Sequence, residues 1–168
     1  ANKIKKFTGG QDSAPLDSAT YIGLRSARSG LYALEGADLF NLLCIPPDTR
    51  SGTTDPSIYS EALNYCYERR AMLIVDPPES WKNRQALLSD PGKALTNDIA
   101  LNGLPARNAV LYYPRVRMAD LKRDGQIDVF VPCGIITGVM ARTDVTRGVW
   151  KAPAGLDAGL GGVRGLEV

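Results

Sequence analysis

The chemistry open to this chain is limited first by a residue type it lacks. Its 168 residues include no histidine, which removes Ser-His-Asp and Cys-His activation of a nucleophile together with the commonest metal ligand. No serine is followed three positions later by lysine, so a serine-lysine dyad of that spacing is missing as well. Cys44, Cys66 and Cys133 form no C-x-x-C pair, and each lies in an apolar context on an expected strand or helix. That is the setting of buried free thiols in a reducing compartment, not of structural zinc. No metal and no cofactor are expected.

Two groups of polar residues remain. The first lies where strands end: Asp48, Asp76, Arg115 and Arg117 follow apolar runs near Pro46–Asp48, Asp76–Pro78 and Pro114–Arg117, the position of sites in α/β enzymes and nucleotide-binding modules. Leu73-Ile74-Val75-Asp76 has the form of a magnesium-holding strand, but no G-x-x-x-x-G-K-[ST] loop accompanies it. Gly159 to Gly165 is glycine-rich without the G-x-G-x-x-G spacing, and Asp17, Glu35 and Asp38 read as a solvated surface. The second group is Arg142, Asp144, Arg147, Trp150 and Lys151. Tryptophan and arginine are enriched at the hot spots of protein interfaces, so these residues are candidate intersubunit contacts. Internal packing is the alternative, with Trp150 capping the core and Arg147 paired to Asp144.

Alternating strands and helices are expected to position these residues. Tyr21 to Ala37 reads as mixed, with Ile22, Leu31, Tyr32 and Leu34 as core anchors and a helical turn near 29–35. Asp38 to Ile45 is a nearly continuous apolar strand, the pattern of one covered on both faces. Asp55 caps a helix that has Pro56 in its first turn, Ile58, Ala62, Tyr65 and Cys66 on its apolar face, and Arg69-Arg70 at its end. Ala71 to Val75 is a second strand. Helices within 81–88 and near 96–102, separated by a break at Asp90-Pro91-Gly92, lead to a strand at 109–113. Asp124-Gly125 turns the chain into a strand at 127–131, and Pro132 opens a helix with Ile135, Ile136, Val139 and Met140 facing the core. Gly134, Gly138 and Ala141 make a smooth stripe on that helix, which an approaching backbone would explain. An irregular segment follows from Ala141 to Gly155, and the tail to Val168 shows no period. This alternation predicts an α/β fold with a mainly parallel sheet and helices on both faces.

The run Ala141-Arg142-Thr143-Asp144, then Arg147-Gly148-Val149-Trp150-Lys151-Ala152-Pro153-Ala154, resembles the signature of tail sheath proteins of contractile bacteriophages and related injection particles. Further matching runs are Gly9-Gly10-x-Asp12, 40–46 (FNLLCIP), 65–70 (YCYERR), Asp76-Pro77-Pro78 and 109–114 (AVLYYP), in the family's order along nearly the whole chain. The resemblance implies a subtilisin-like sheath domain without catalytic residues, and a structural, non-enzymatic subunit of the virion tail assembled in the host bacterial cytoplasm. It further implies hexameric rings of sheath subunits stacked as a helical sleeve around the tail tube protein on a baseplate. That sleeve contracts to drive the tube through the host envelope.

Composition fits such a part. A domain of this length buries about 70% of its unfolded surface. At 44% hydrophobic and 23% charged the chain is neither disordered nor membrane-embedded, and no apolar run approaches the roughly 18 residues of a spanning helix. Its 20 basic and 18 acidic residues leave a net charge of +2, too little to gather nucleic acid at long range. Lys3, Lys5 and Lys6 read as a solvated end. The expected organisation is a polar, turn-rich segment at 1–20, the α/β domain at 21–154 and a glycine-rich tail at 155–168. Ala1 is not a start methionine and Val168 carries no terminating signal, which reads as a piece of a longer protein. Without the arms that link subunits in the family, the piece is expected to be monomeric or weakly associating.

Overall fold

The computed structural model describes residues 9–11, 13–82 and 84–167; Lys3, Lys5, Lys6, Asp12 and Val168 lie outside the described residues. Two three-stranded sheets organise the chain. The first is parallel, with order β1 (Leu42–Cys44), β2 (Met72–Val75), β3 (Ala109–Leu111). The second is antiparallel, with β4 (Arg115–Asp120) between β5 (Gln126–Phe130) and β6 (Val163–Glu167). The fold is therefore mixed α/β, and the expectation of a mainly parallel sheet is corrected: half of the strands are antiparallel.

A short helix, α1 (Ser18–Ile22), is capped by the Asp17 side chain. A 3-10 segment at Gly30–Gly36 then carries Leu31 into the core, with Tyr32 and Leu34 packed at its edge. Helix α2 (Pro56–Arg69) forms as its sequence dictates. Asp55 accepts the backbone N–H of Ser57 at 2.8 Å, Pro56 occupies the first turn, and Ile58, Ala62, Tyr65 and Cys66 are all buried. Arg69, in the last turn, donates to the carbonyls of Leu34 and Ala37, tying the 3-10 segment to the helix.

Strand β2 is the centre of the molecule, with Leu73, Ile74 and Val75 fully buried. Alternation along the strand separates two faces. Leu73 and Val75 join a core cluster with Tyr59, Ala62, Leu63 and Cys66 of α2 and with Trp81, Ala94 and Ile99 of the second crossover. Ile74 pairs in register with Cys44 of β1, and that side is covered by α5 (Cys133–Arg147), which packs on β1 and β2. Strand β1, by contrast, is a half-buried edge with Leu39 exposed beside it. It is not the doubly covered strand expected over Asp38–Ile45.

The second crossover departs from expectation in detail. Trp81 stands in a turn ahead of α3 (Arg84–Ser89), its indole N–H donating to Asp98 at 2.7 Å. The expected break falls at Asp90, between α3 and the next helix: Asp90 caps that helix by accepting from the Lys93 N–H, and α4 (Pro91–Lys93) runs straight into a π-helical turn at Ala94–Asp98, earlier than the helix expected near 96–102. The Asp124-Gly125 turn does reverse the chain, with positive φ at both residues, but it joins two strands, β4 and β5. Strands β4 and β6 lie in stretches, 115–126 and 155–168, whose sequence shows no strand pattern.

Arg115 couples the two sheets. Only 3% exposed, it donates to the carbonyls of Pro77 at 3.1 Å and Gly52 at 2.7 Å, loops that follow β2 and β1. Arg50, from the same loop, pairs with Asp120 of β4 and Asp128 of β5. No described helix is long and apolar enough to cross a membrane.

Candidate functional site

Two places gather polar chemistry: the carboxyl ends of β1 and β2, and the carboxyl end of α5. At the first, Asp76 directly follows β2 and shares the face of Ile74, turned to α5. It is 4% exposed. Its Oδ1 accepts the backbone N–H of Cys133 at 2.8 Å, and its own N–H donates to the Tyr59 hydroxyl at 3.2 Å. Oδ2 is buried without a hydrogen-bond partner among the described residues. Burial pushes the Asp76 carboxyl up, against the lowering effect of the Cys133 N–H and thiol and of Arg115.

Cys44, the last residue of β1, points into the same pocket of chemistry. Its Sγ lies 2.8 Å from Thr137 Oγ1 and donates to the Cys133 carbonyl oxygen at 3.6 Å. Proximity to Cys133, with Thr137, lowers the Cys44 pKa against its burial, while the neighbouring Cys44, burial and Asp76 raise that of Cys133. Cys44 is half-buried and Cys133 buried. Cys66 stands apart in the core of α2, pushed up to about 12 by burial. Sequence placed all three thiols on separate elements and saw no pair. The contact joins positions 89 apart, and only the docking of α5 on β1 reveals it.

Of the other strand-end candidates, Asp48 and Arg115 are engaged within the domain and Arg117 is exposed. Asp48 accepts from the Tyr21 hydroxyl and from the Leu16 N–H, which holds its carboxyl below the usual range. Arg115 is saturated by carbonyls. Among the described residues no cluster of three or more acidic or thiol side chains fits a metal.

At the second place α5 runs to Arg147, so the irregular segment expected from Ala141 is helical for its first half. Val139 and Thr143 are buried and Ile135, Ile136 and Met140 half-buried against the sheet. Gly134, Gly138, Ala141 and Val145, at spacings of four, three and four, form an exposed stripe, and a Cβ built on either glycine meets nothing. Among the described residues no neighbouring backbone explains the two glycines.

Arg142, Arg147 and Lys151 converge on the turn at 155–159. Arg142 donates to the carbonyls of Asp157 and Gly159, Arg147 pairs with the Asp157 carboxylate at 2.6 Å, and together with Lys151 they line a hollow of about 220 Å³. The Arg147 guanidinium, with a smaller contribution from Lys151, holds the Asp157 carboxyl low. The internal pairing of Arg147 with Asp144 is thus corrected; its partner is Asp157. Asp144 is exposed, its carbonyl accepting the Gly148 N–H that ends the helix. Trp150 does not cap the core: it is 84% exposed, its indole folded over Gly148. Val145 and Val149 are over 80% exposed, and Leu156 is fully so. Between positions 145 and 156 the chain therefore presents four large apolar side chains to solvent beside three cations and two acids.

The chain matches no protein-family model, and no curated protein matches it.

Proposed function

We propose that this chain is a structural subunit of a contractile tail sheath, built on a subtilisin-like α/β domain without catalytic machinery, which assembles with copies of itself as a sleeve around a tail tube. The observation that carries this function is the exposed apolar surface formed by the Gly134-Gly138-Ala141-Val145 stripe of α5 and the Val149-Trp150-Leu156 segment beyond it. Single exposed apolar residues are ordinary, but an apolar helix stripe continued by a bare tryptophan is the composition of an interface core. The ordered resemblance from Gly9 to Ala154 supplies the kind of assembly, and it includes this same segment.

The flanking charges suit self-association. Arg142, Arg147 and Lys151 lie beside Asp144 and Asp157, so identical surfaces meet without a single-sign field, and the exposed pairs can exchange partners at little cost. A sleeve that shortens needs such exchange between two arrangements of rigid modules. Arg115 and the Arg50 pairs, which lock the two sheets together, provide that rigidity.

Electron microscopy of the protein expressed from its complete reading frame tests this directly. Striated tubes built of stacked rings are expected. Dispersed particles at all concentrations, together with saturable binding of a nucleotide, would transfer the function to a small α/β nucleotide-binding module.

A further inference from the structure

The hollow of about 220 Å³ at the carboxyl end of α5 carries positive charge that the described residues do not cancel. We propose that it is a binding site for a compact divalent oxyanion of the phosphate class, held by Arg142, Arg147 and Lys151. The site lies within one chain and does not depend on sheath assembly.

Charge balance separates this hollow from the other that gathers charged side chains. Beyond β1 and β2, a hollow of about 370 Å³ has Arg50, Arg123 and Lys82 on its walls, but Arg50 and Arg123 pair with Asp128 and Lys82 pairs with Glu79. Beside α5, three cations meet one acid. Arg147 takes that acid, Asp157, at 2.6 Å. Arg142 and Lys151 hold only carbonyl oxygens among the described residues: Arg142 those of Asp157 and Gly159, Lys151 that of Ala152. A carbonyl orients a cation without neutralising its charge. The terminus of α5 adds about half a negative charge, which leaves the hollow positive.

Size and donor geometry set the class of ligand. The hollow is smaller than the roughly 300 Å³ at which sites for drug-sized molecules begin, so it suits a compact group. The bonds of Arg142 and Arg147 run through Nη2, which leaves the Nε and Nη1 hydrogens of both guanidinium groups for a ligand. Such forks match the oxygens of a phosphate, and a lysine adds a point charge. A phosphate group carries about 1.5 to 2 negative charges near pH 7, enough to outcompete a single carboxylate. The Arg147–Asp157 pair does not bar entry: both side chains are more than half exposed, and a pair so placed contributes little.

The test titrates sodium phosphate at about pH 7 into the folded, isotope-labelled chain, with sodium chloride at matched ionic strength as the blank, and follows backbone and arginine N–H resonances by NMR. Sedimentation of the same samples reads self-association separately, so the anion site and sheath assembly can fail independently. Saturable movement confined to Arg142, Arg147, Lys151 and the turn at 155–159 is expected, with none in chloride. Arg147→Gln and Lys151→Gln should each weaken binding at least several-fold, while Arg28→Gln, an exposed arginine that does not line the hollow, leaves it unchanged. Asp157→Asn removes the competing acid and should tighten binding several-fold; Asp144→Asn, the same change of net charge outside the walls, should not. Resonances away from the hollow check that each variant is folded. The site is overturned if phosphate and chloride act alike, if movement spreads over the basic residues without saturating, or if Arg147→Gln and Lys151→Gln bind as wild type does.

Discussion

The Asp76 carboxylate holds the Cys133 backbone N–H at 2.8 Å, so the residue that ends β2 fixes the first residue of α5. Everything α5 carries, including its exposed stripe, is aimed by that bond and by the packing of Val139 and Thr143 on the sheet.

The same burial makes stability depend on pH. The Asp76 carboxyl is raised above its unfolded value of about 3.9, so its contribution is complete below that value and is lost as pH rises through the folded one. Cys44, Tyr59, Cys133 and the Arg115 guanidinium surround it. As pH rises above about 4, wild type should lose stability relative to Asp76→Asn in urea unfolding. A difference that does not change with pH would contradict this account of Asp76.

Arg115→Ala should be among the most damaging single changes outside the apolar core. It strips hydrogen bonds from the buried carbonyl of Pro77 and the half-buried carbonyl of Gly52 and opens a cavity between the sheets. The expected loss is about 3 kcal/mol in chemical denaturation. A loss under about 1 kcal/mol would show that water replaces the guanidinium.

Asp55→Ala tests the local logic of α2. It removes the acceptor for the Ser57 N–H and hydroxyl, and should cost about 1 kcal/mol. Unfolding midpoint measured with an unchanged denaturant slope checks it.

How much of this was legible from residues alone follows from the range of the signals. Helix α2 was readable because its cap, its first-turn proline and its apolar face lie within fifteen residues of Asp55. Strand β2 was readable as a buried run. Of the antiparallel sheet only β5 was: β4 reads RVRMAD, with a buried arginine where an apolar residue would announce a strand, and β6 carries Gly165 at its centre. β4 pairs with β5 across a short turn, but β6 pairs with β4 only through a contact nearly fifty residues apart in sequence. At the α5 surface, composition identified the residues but not their partners, since Asp157, the true partner of Arg147, lies in a tail without periodicity. The contact between Cys44 and Cys133 left no local signal at all.

Gly148→Ala probes the end of α5. Gly148 has φ +96°, and an added Cβ would fall 2.2 Å from the Trp150 ring. The substitution should cost about 1 kcal/mol of backbone strain and displace the indole. Movement of the Trp150 indole N–H resonance, with that of Trp81 unmoved, is the expected signature; unmoved resonances would mean that the ring does not rest on Gly148 in solution.

The central claim, that the bare apolar surface beyond α5 exists to meet other copies of the chain, is most directly tested on Trp150→Asp. Sedimentation velocity and thermal unfolding would be measured together on wild type and variant, each expressed from the complete reading frame. Because Trp150 is 84% exposed and outside the core, the variant should unfold within a few degrees of wild type while its large assemblies shrink or vanish. Assembly equal to that of wild type, with stability unchanged, would contradict the claim.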